Sequence, residues 1–295
     1  MVLPSLPRLQ VLLSPSKGLK FEACATAERA GVYEPAGASR ANEIAAILGK
    51  KSVAELAKVL GASTAIAEEN HARYANWDKA ETLQAIAAYD GFAFSKLDGR
   101  SLSEAEMRRA HRKLVIPSAV WGPVRALDAI KPYRLEMACR QLPEPYDNLV
   151  AYWKQFTTDD VLSGFADGED RVLVNVASDE YSKAVDLKAL QKAGVTVVKC
   201  EFYHDGKKAL STNLKYARGL VARYVIQNDV DDLDALKLFD LEDYSFAPDH
   251  SDDKTIAFSR GAAPTSSTTT TTTKRKTPAA EGSAATTTKK PRSKK

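Results

Sequence analysis

Polar and charged residues follow directly after a short apolar run in the middle of the chain. Val172 to Val176 is rich in β-branched residues, which indicates a strand buried on both faces. Ser178, Asp179 and Glu180 come next. Ligands of open α/β sheets bind beyond the carboxyl ends of such strands, so these three side chains form a candidate site. The structural alternative is that Ser178 caps the following helix and that the two acids complement its dipole.

A second candidate site follows the first predicted strand, Leu9 to Leu13. Ser14 to Lys17 matches S-x-x-K, the nucleophile motif of some acyl-transferring enzymes, which place that serine at the start of a helix. Pro15 and Gly18 indicate a loop instead. The alternative that stays open is an anion site, in which Lys17 and nearby backbone N–H groups hold a phosphate or a carboxylate.

Two basic stretches are candidates for binding an anionic partner. A capping box at 103–106 predicts a helix. Four cations lie at its end: Arg108, Arg109, Arg112 and Lys113. Cations in a last turn complement the helix dipole and need no ligand to explain them. The loop-rich stretch beyond them, which contains Arg125, Arg134 and Glu136, is therefore the stronger site candidate.

A further basic stretch lies on a predicted helix over 213–227, whose apolar residues repeat at helical spacing. Lys215 and Arg223 point away from that apolar face, and Arg218 lies at its edge. A solvated basic face is the ordinary interpretation, and a cleft lined by the arginines is the functional one. Gly219 costs about 1 kcal/mol relative to alanine in a helix, which indicates a close approach of another backbone.

The remaining patterns predict the elements that position these residues. Further helices are expected over 41–48, 52–60, 63–75, 78–88, 147–165 and 231–238. Further strands are expected over 115–120, 195–203 and 207–211, with edge strands over 244–247 and 255–259. The short helices around Lys50 and Lys51 form either a helix-hairpin-helix, whose turn offers backbone N–H groups to DNA phosphates, or an ordinary helical subdomain.

The composition excludes several classes of site. Cys24, Cys139 and Cys200 are scattered and the four histidines are isolated, so neither a disulfide framework nor a metal site is predicted. No Walker or dinucleotide glycine motif is present, and no cofactor is predicted. No run approaches the roughly 20 apolar residues of a membrane span. The net charge is +4, of which residues 262–295 hold +7, so residues 1–261 carry −3.

The last 34 residues differ in composition from the rest of the chain. Residues 262–295 contain no aromatic residue and no Leu, Ile or Val, so a disordered tail is predicted beside a folded domain over 1–261. Lys274 to Lys276 and Lys289 to Lys295 resemble a bipartite nuclear-import signal, which an import receptor would bind. Such runs also bind nucleic acid non-specifically, or merely solubilise a chain. The predicted location is cytoplasmic or, through these runs, nuclear.

Four stretches, taken together and in order, resemble one family. Residues 13–17 (L-S-P-S-K) resemble its L-S-P-A-K, and residues 125–137 (R-A-L-D…K-P-Y-R-L-E-M) resemble R-P-L-D…P-Y-R-L-E-M. Residues 175–181 (N-V-A-S-D-E-Y) resemble N-L-A-S-D-E-Y, and residues 215–219 with Arg223 resemble K-x-A-R-G…R. These are marks of the YaaA family of peroxide stress proteins, and the resemblance covers residues 9–260.

The resemblance implies a single α/β domain with a mixed β-sheet flanked by helices, a helix-hairpin-helix element and a positively charged cleft. It also implies binding of duplex DNA and a part in limiting free iron and oxidative DNA damage under peroxide stress. The predicted cleft residues are Ser14, Lys17, Arg125, Arg134, Glu136, Ser178, Asp179, Glu180, Lys215, Arg218 and Arg223. The predicted DNA contacts are Lys50, Lys51, Arg108, Arg109, Arg112 and Lys113.

Two functions stay open at this point, and a monomer is predicted for both. A DNA-binding stress protein would show a steep salt dependence, because each phosphate contact releases counterions. An enzyme acting on a nucleotide or another small phosphorylated substrate in the same cleft would bind a small ligand with little salt dependence. In the cleft, Glu136, Asp179 and Glu180 either orient the arginines and act as acid or base, or form purely structural ion pairs.

Overall fold

The computed structural model describes residues 6–168 and 170–261 of the 295-residue chain. The predicted disordered tail over 262–295 and its two basic runs lie outside the described residues. The domain boundary at residue 261 therefore stays a prediction.

Strands and helices alternate along most of the described chain. The strands are β1 (Leu9–Leu12), β2 (Gly18–Leu19), β3 (Leu83–Gln84), β4 (Tyr89–Asp90), β5 (Leu114–Ser118), β6 (Gly122–Arg125), β7 (Ala129–Ile130), β8 (Arg171–Asn175), β9 (Val195–His204), β10 (Lys207–Lys208), β11 (Ser245–Phe246) and β12 (Thr255–Arg260). The α-helices are α1 (Ala25–Ala30), α2 (Ala38–Gly49), α3 (Val53–Leu60), α4 (Thr64–Ala75), α5 (Ala85–Ala88), α6 (Phe92–Leu97), α7 (Glu104–Lys113), α8 (Leu149–Ser163), α9 (Asp179–Ser182), α10 (Leu187–Lys192), α11 (Ser211–Gln227) and α12 (Leu233–Lys237). Short 3₁₀ turns are Trp77–Lys79, Gly99–Ser101, Leu241–Asp243 and Pro248–His250.

A mixed sheet forms the centre of the fold, in the order β11-β12-β9-β8-β1-β5-β6, with β10 paired to β9. The strands from β12 to β5 in this order are parallel to one another. The outer strands β11 and β6 pair antiparallel to their neighbours, as does β10. Helices α7, α8, α10 and α11 pack against the sheet. The predicted fold class, a mixed α/β sheet flanked by helices, is confirmed.

The middle strands are apolar because both of their faces are covered. β1 lies between β5 and β8, and all four of its residues are buried. Gln10 is the polar member, and its side-chain amide donates to the carbonyl of Val161 at 2.9 Å. Val172 to Asn175 of β8 are buried as well. The β-branched run after residue 171 is therefore the inner parallel strand that its composition predicts.

Helices α2, α3 and α4 form the predicted helical subdomain. Ser52 starts α3 with a complete capping box, since its hydroxyl accepts from the N–H of Glu55 and the Glu55 carboxylate accepts from the N–H of Ser52. Gly61 ends α3 in the left-handed conformation with φ 54°, which glycine adopts without strain. The hydroxyl of Tyr74, near the end of α4, donates to the carbonyl of Arg134 at 2.8 Å.

One predicted helix is wrong. The stretch 78–88 consists of the end of a 3₁₀ turn, the strand β3 and the four-residue helix α5. β3 pairs antiparallel with β7, and the N–H groups of Ala85 and Ile86 donate to the carbonyls of Asp128 and Ala126. Pairing with a segment 45–47 residues away therefore overrides the local helical preference.

Other predicted elements keep their type with different limits or places. The helix expected over 147–165 spans 149–163, the helix expected over 231–238 spans 233–237, and the strand after the hairpin turn is only Lys207–Lys208. The strand expected at an edge over 255–259 is β12, which lies between β9 and β11. Only β11 of this pair is an edge strand.

Gly219 of α11 marks a close helix contact, as its sequence position predicts. A Cβ atom added at Gly219 would lie 1.9 Å from the carbonyl oxygen of Ala93 in α6, which is far inside van der Waals contact. α11 and α6 therefore touch through their backbones, and this contact fixes the position of α11.

Candidate functional site

The loops that follow β1 and β8 meet at one edge of the sheet, because parallel strands place their carboxyl ends together. Ser14 follows β1, and Ser178 follows β8. The hydroxyl of Ser14 accepts a hydrogen bond from the N–H of Ser178 at 2.8 Å, and the two hydroxyl oxygens lie 3.3 Å apart. Ser178 stands at the N-cap position of α9 with Asp179 and Glu180 in the first turn, as the structural alternative predicts, but its hydroxyl makes no capping bond to that helix.

A loop over residues 131–142 crosses this edge and brings further charges to it. The carboxylate of Glu136 forms an ion pair with the ammonium of Lys17 at 2.5 Å. Glu180 accepts a hydrogen bond from the N–H of Ala138 at 3.1 Å. Glu136 and Glu180 therefore hold the loop against the segments that follow β1 and β8.

Buried tyrosines anchor the same loop to the protein interior. The hydroxyl of Tyr133 lies 2.8 Å from the hydroxyl of Tyr89 and 2.7 Å from that of Ser118. Burial raises the pKa of Tyr133 to about 12, so its hydroxyl keeps its proton near neutral pH. Along this loop buried residues (Tyr133, Leu135 and Met137) alternate with the partly exposed Arg134 and Glu136.

Two arginines in this region lie in unfavourable surroundings for a guanidinium group. Nε of Arg134 is buried and has no hydrogen-bond partner among the described residues. Arg218 of α11 is half-buried, and burial lowers the pKa of its guanidinium although the carboxylate of Asp179 opposes this shift. Asp179 itself lies 3.7 Å from the ammonium of Lys199, which stands beside Asn175 on β9.

We name this group the carboxyl-edge cluster: Ser14, Lys17, Arg134, Glu136, Ser178, Asp179, Glu180, Lys199 and Arg218. Its charged members are four cations and three acids, within residues 1–261 whose net charge is −3. The ammonium of Lys17 is 56% exposed and the carboxylate of Asp179 is 84% exposed. Exposed cations beside two hydroxyl groups suit the binding of phosphate or carboxylate oxygens.

Three of the predicted cleft residues lie elsewhere. Arg125 is at the end of β6, beside Val115 near the start of β5, where it pairs with Asp160 at 2.6 Å. Arg223 donates to the carbonyl of Leu97 at 2.8 Å and is thereby committed to the end of α6. Lys215 lies over the ring of Phe92 at 5.7 Å.

The predicted DNA contacts divide into two groups. Lys50 and Lys51 lie in the turn between α2 and α3, with Lys50 exposed. Two cations of α7 instead bind the carboxyl ends of other helices: Arg108 donates to the carbonyl of Ala30 in α1, and Arg109 to that of Ile226 in α11 at 2.6 Å. Arg112 donates within α7, to the carbonyl of Arg108 at 3.4 Å. The fourth cation, Lys113, is 2% exposed.

Lys113 is held by three acceptors at the end of α11. Its ammonium lies 2.7 Å from the carbonyl oxygen of Val230, 2.5 Å from the carboxylate of Asp231 and 3.3 Å from that of Asp229. The sequence predicts that these cations interact with the dipole of their own helix, α7. In the structure Arg109 and Lys113 instead interact with acceptors at the carboxyl end of another helix, α11.

Sequence reasoning missed Lys199 and the tyrosine pair under the loop. Lys199 lies on a strand of alternating exposure, and only the register with Asn175 places it at the cluster. Tyr133 belongs to the P-Y-R-L-E-M stretch, so that motif carried a signal for it. Its partner Tyr89 lies 44 residues away in sequence, and no local pattern marks it.

The described residues contain neither a metal-binding group of side chains nor a membrane-spanning helix. No group of three or more His, Cys, Asp or Glu side chains within 6–168 and 170–261 is arranged to hold a metal ion. Among the same residues no helix has the length and apolar character to cross a membrane.

The fold and the site define a class: a mixed α/β protein with a cationic hydroxyl-bearing cluster at the carboxyl ends of its parallel strands. The sequence model of the family described as peroxide stress protein YaaA matches residues 9–250. The chain belongs to this family.

Similar proteins come from several bacteria. A UPF0246 protein of Aromatoleum aromaticum is 38% identical over 259 residues, and one of Burkholderia mallei is 37% identical over 260 residues. A UPF0246 protein of Ralstonia pickettii is 36% identical over 255 residues. Each match covers 85% of this chain and 98% of the relative.

Proposed function

We propose that this chain protects DNA under peroxide stress by binding the duplex, with the carboxyl-edge cluster as its main contact surface. Membership of the peroxide stress family gives the physiological setting. The observation that carries the proposal is Arg134, whose Nε is buried without a partner among the described residues. The residue is partly exposed, so a phosphate oxygen would reach this incompletely paired guanidinium group through its terminal nitrogens rather than through the buried Nε.

The helical subdomain supplies a second contact in this proposal. Ser63 precedes α4, but its hydroxyl makes no capping bond, in contrast to Ser52 before α3. The first N–H groups of a helix need acceptors from outside it, and a DNA phosphate is such an acceptor. Lys50 and Lys51, in the turn before α3, would add a further basic contact from the same subdomain.

The first test is binding of a fluorescent DNA duplex at two salt concentrations, comparing the full chain with residues 1–261. We expect binding by both, with an affinity that falls steeply as salt rises, because phosphate contacts release counterions. Binding that disappears when residues 262–295 are deleted would assign DNA contact to the basic tail. That outcome would remove the carboxyl-edge cluster from the proposal.

Arg134→Met tests the cluster directly, because methionine fills similar space without the charge. We expect the duplex affinity to fall about tenfold, as for the loss of one charge-assisted contact. Arg140→Met is the matched control, since Arg140 is an exposed arginine of the same loop whose side chain donates only to the neighbouring Cys139 carbonyl. Equal losses for both variants would indicate general electrostatics rather than a site.

A second function is supported by the paired hydroxyls of Ser14 and Ser178. Two hydroxyl groups at the carboxyl ends of neighbouring parallel strands are suited to a small phosphorylated substrate, as in other α/β proteins. The discriminating measurement is again salt dependence. A nucleotide that binds this cluster with little dependence on salt, together with weak DNA binding, would favour the enzyme.

The proposal extends to the limitation of free iron and to the location of the protein. Cells that express the chain should show less free iron after peroxide treatment than cells that lack it. The basic runs at 274–276 and 289–295 would direct import into a nucleus, a point that rests on sequence alone because the relatives named above are bacterial. A fluorescent fusion with and without residues 262–295 tests it, and gel filtration tests the predicted monomer.

A further inference from the structure

A cavity of about 450 Å³ lies at the carboxyl ends of β9 and β12, apart from the carboxyl-edge cluster. Its walls come from α6, α11 and the segment before β11. Its lining residues are Ser95, Lys96, Asn213, Tyr216, Ala217, Leu220, Glu242, Tyr244 and Arg260. Cavities of this size at the strand ends of an α/β sheet are typical places for a small ligand.

Two cations in this cavity share one carboxylate. Glu242 pairs with the ammonium of Lys96 and lies 3.4 Å from the guanidinium of Arg260. A second cavity of about 510 Å³ is also lined by Glu242 and Arg260, so this ion pair separates two open spaces. The three side chains are each about one-third exposed (33–37%), so the bridge is reachable from solvent.

Each of the two cations also lies over an aromatic ring. The ammonium of Lys96 is 5.4 Å from the ring centre of Tyr216, and the guanidinium of Arg260 is 5.2 Å from that of Tyr244. Burial raises the pKa of Tyr244 to about 12, so its hydroxyl keeps its proton, and it forms a hydrogen bond with Nε2 of His204. The rings therefore hold both cations in place independently of Glu242.

Glu242 is held in an unfavourable backbone conformation. Its φ is +52° and that of the next residue, Asp243, is +62°, the left-handed region that residues with side chains seldom adopt. Consecutive residues of this kind occur where a backbone is strained, and such places are frequently binding sites. A segment that is already strained loses little when the carboxylate moves away.

We propose that this cavity binds a nucleoside monophosphate, whose phosphate takes the place of the Glu242 carboxylate between Lys96 and Arg260. A phosphate offers more acceptor oxygens than a carboxylate and bridges two cations equally well. The ring of the nucleoside packs against Tyr216 and the apolar floor formed by Ala217 and Leu220. The site is independent of DNA binding and uses residues outside the carboxyl-edge cluster.

The limited volume of the cavity favours a single nucleotide over a nucleic acid strand. At about 450 Å³ the cavity has room for one small ligand, whereas a strand of nucleic acid needs a groove that continues past the site. The same binding measurements on a DNA duplex distinguish the two, because a nucleotide site predicts that the cavity variants keep their duplex affinity.

Calorimetric titration of the full chain with adenosine 5′-monophosphate tests the proposal. We expect saturable binding that Lys96→Met and Arg260→Met each weaken about tenfold. Glu242→Gln should instead tighten binding, because it removes the carboxylate that competes with the phosphate. Lys237→Met is the matched control: Lys237 also pairs with an acid and lies over an aromatic ring, but it does not line the cavity.

Several results would overturn the assignment. One is the absence of saturable binding by the full chain, and another is equal affinity for adenosine 5′-monophosphate and inorganic phosphate. Unchanged binding in Lys96→Met and Arg260→Met, with circular dichroism showing that they fold, would remove the cavity as the site. Weaker binding in Glu242→Gln, or an equal loss of duplex affinity in the cavity variants, would show a structural ion pair or a DNA contact instead.

Discussion

The amino-terminal and carboxyl-terminal edges of the parallel strands both carry arginine, lysine and acidic residues, but they bury them to different extents. At the amino edge, Arg125 and Asp160 are 13% and 20% exposed, and Lys113 is 2% exposed. At the carboxyl edge, Lys17 is 56% exposed and Asp179 is 84% exposed.

The partners differ as well. Arg125 makes hydrogen bonds to the carboxylate of Asp160, the side chain of Gln10 and two backbone carbonyls. At the carboxyl edge, Nε of Arg134 has no partner within the described chain. Charges whose partners all belong to the fold stabilise it, whereas charges left with spare donors are available to a ligand.

The largest expected effect is at the amino edge. Arg125→Met should lower the free energy of unfolding by about 3–5 kcal/mol, because it leaves the mostly buried Asp160 without its partner. Urea denaturation followed by circular dichroism measures this. The double variant Arg125→Met with Asp160→Leu should recover part of the loss, and a single variant as stable as the parent would refute the structural role.

Gly219→Ala tests the helix that links the two edges. Helix propensity alone predicts a gain of about 1 kcal/mol for this change. We expect a loss of about 1–3 kcal/mol instead, because the new methyl group would meet the carbonyl oxygen of Ala93 at 1.9 Å. Thermal unfolding distinguishes the signs, and Ala222→Gly in the same helix gives the scale for removing a methyl group.

The pH dependence of stability provides a test within the amino edge. Burial raises the pKa of Asp128 to about 7 and lowers the pKa of His111 to about 4. In the folded protein Asp128 keeps a proton at pH values where the unfolded chain has released it. Its contribution to the free energy of unfolding therefore falls as pH rises from about 4 to about 7. In the folded protein His111 stays unprotonated at pH values where the unfolded chain binds a proton. Its contribution to the free energy of unfolding therefore rises with pH from about 4 to about 6.5.

These two opposite slopes offset each other in the parent protein over the shared range. His111→Gln should therefore reveal a stability that falls from pH 4 to 7, and Asp128→Asn one that rises from pH 4 to 6.5. Urea midpoints at a series of pH values measure both. Parallel pH profiles for the two variants would show that these groups do not titrate as their burial predicts.

At the carboxyl edge the same type of substitution should hardly change stability. Burial lowers the pKa of the Arg218 guanidinium, which means that the fold disfavours its charge. Arg218→Met should therefore change the free energy of unfolding by less than about 1 kcal/mol while duplex binding weakens. A loss as large as that of Arg125→Met would erase the difference between the two edges.

A further comparison concerns the starts of three helices, α3, α4 and α7. Ser52→Ala should cost about 1 kcal/mol because the serine closes a capping box, and Ser103→Ala should cost a similar amount. Ser63→Ala should be neutral, since the Ser63 hydroxyl makes no capping bond. A cost at Ser63 equal to that at Ser52 would show that the start of α4 is capped in solution and closed to a phosphate.

Local features of the sequence predicted local structure well. The capping boxes before α3 and α7, the inner strand after residue 171 and the close contact at Gly219 all depend on neighbouring residues or on burial alone. The mixed sheet also followed from the resemblance. The residues that indicate each of these local features lie within a few positions of one another, so a single sequence is enough to predict them.

Partners that are distant in sequence were beyond this reasoning. The resemblance predicts Arg125 in the cleft, and nothing near it in the sequence shows that Asp160, 35 residues later, is its partner. The resemblance also predicts Arg223 in the cleft, although its acceptor in the structure is the carbonyl of Leu97. The stretch 78–88 has helical spacing, but its β3 portion pairs with β7.

The position of β1 affects how the protein is made. β1 is synthesised first, yet it is the inner strand between β5, which begins at Leu114, and β8, which begins at Arg171. At about 5–20 residues per second, ribosomes need roughly 10–30 s to reach β8 after β1 has been made. During that time Leu9, Val11 and Leu12 have no completed sheet to enter. We therefore expect newly made chains to need protection by chaperones, and translation products that stop before Arg171 to aggregate.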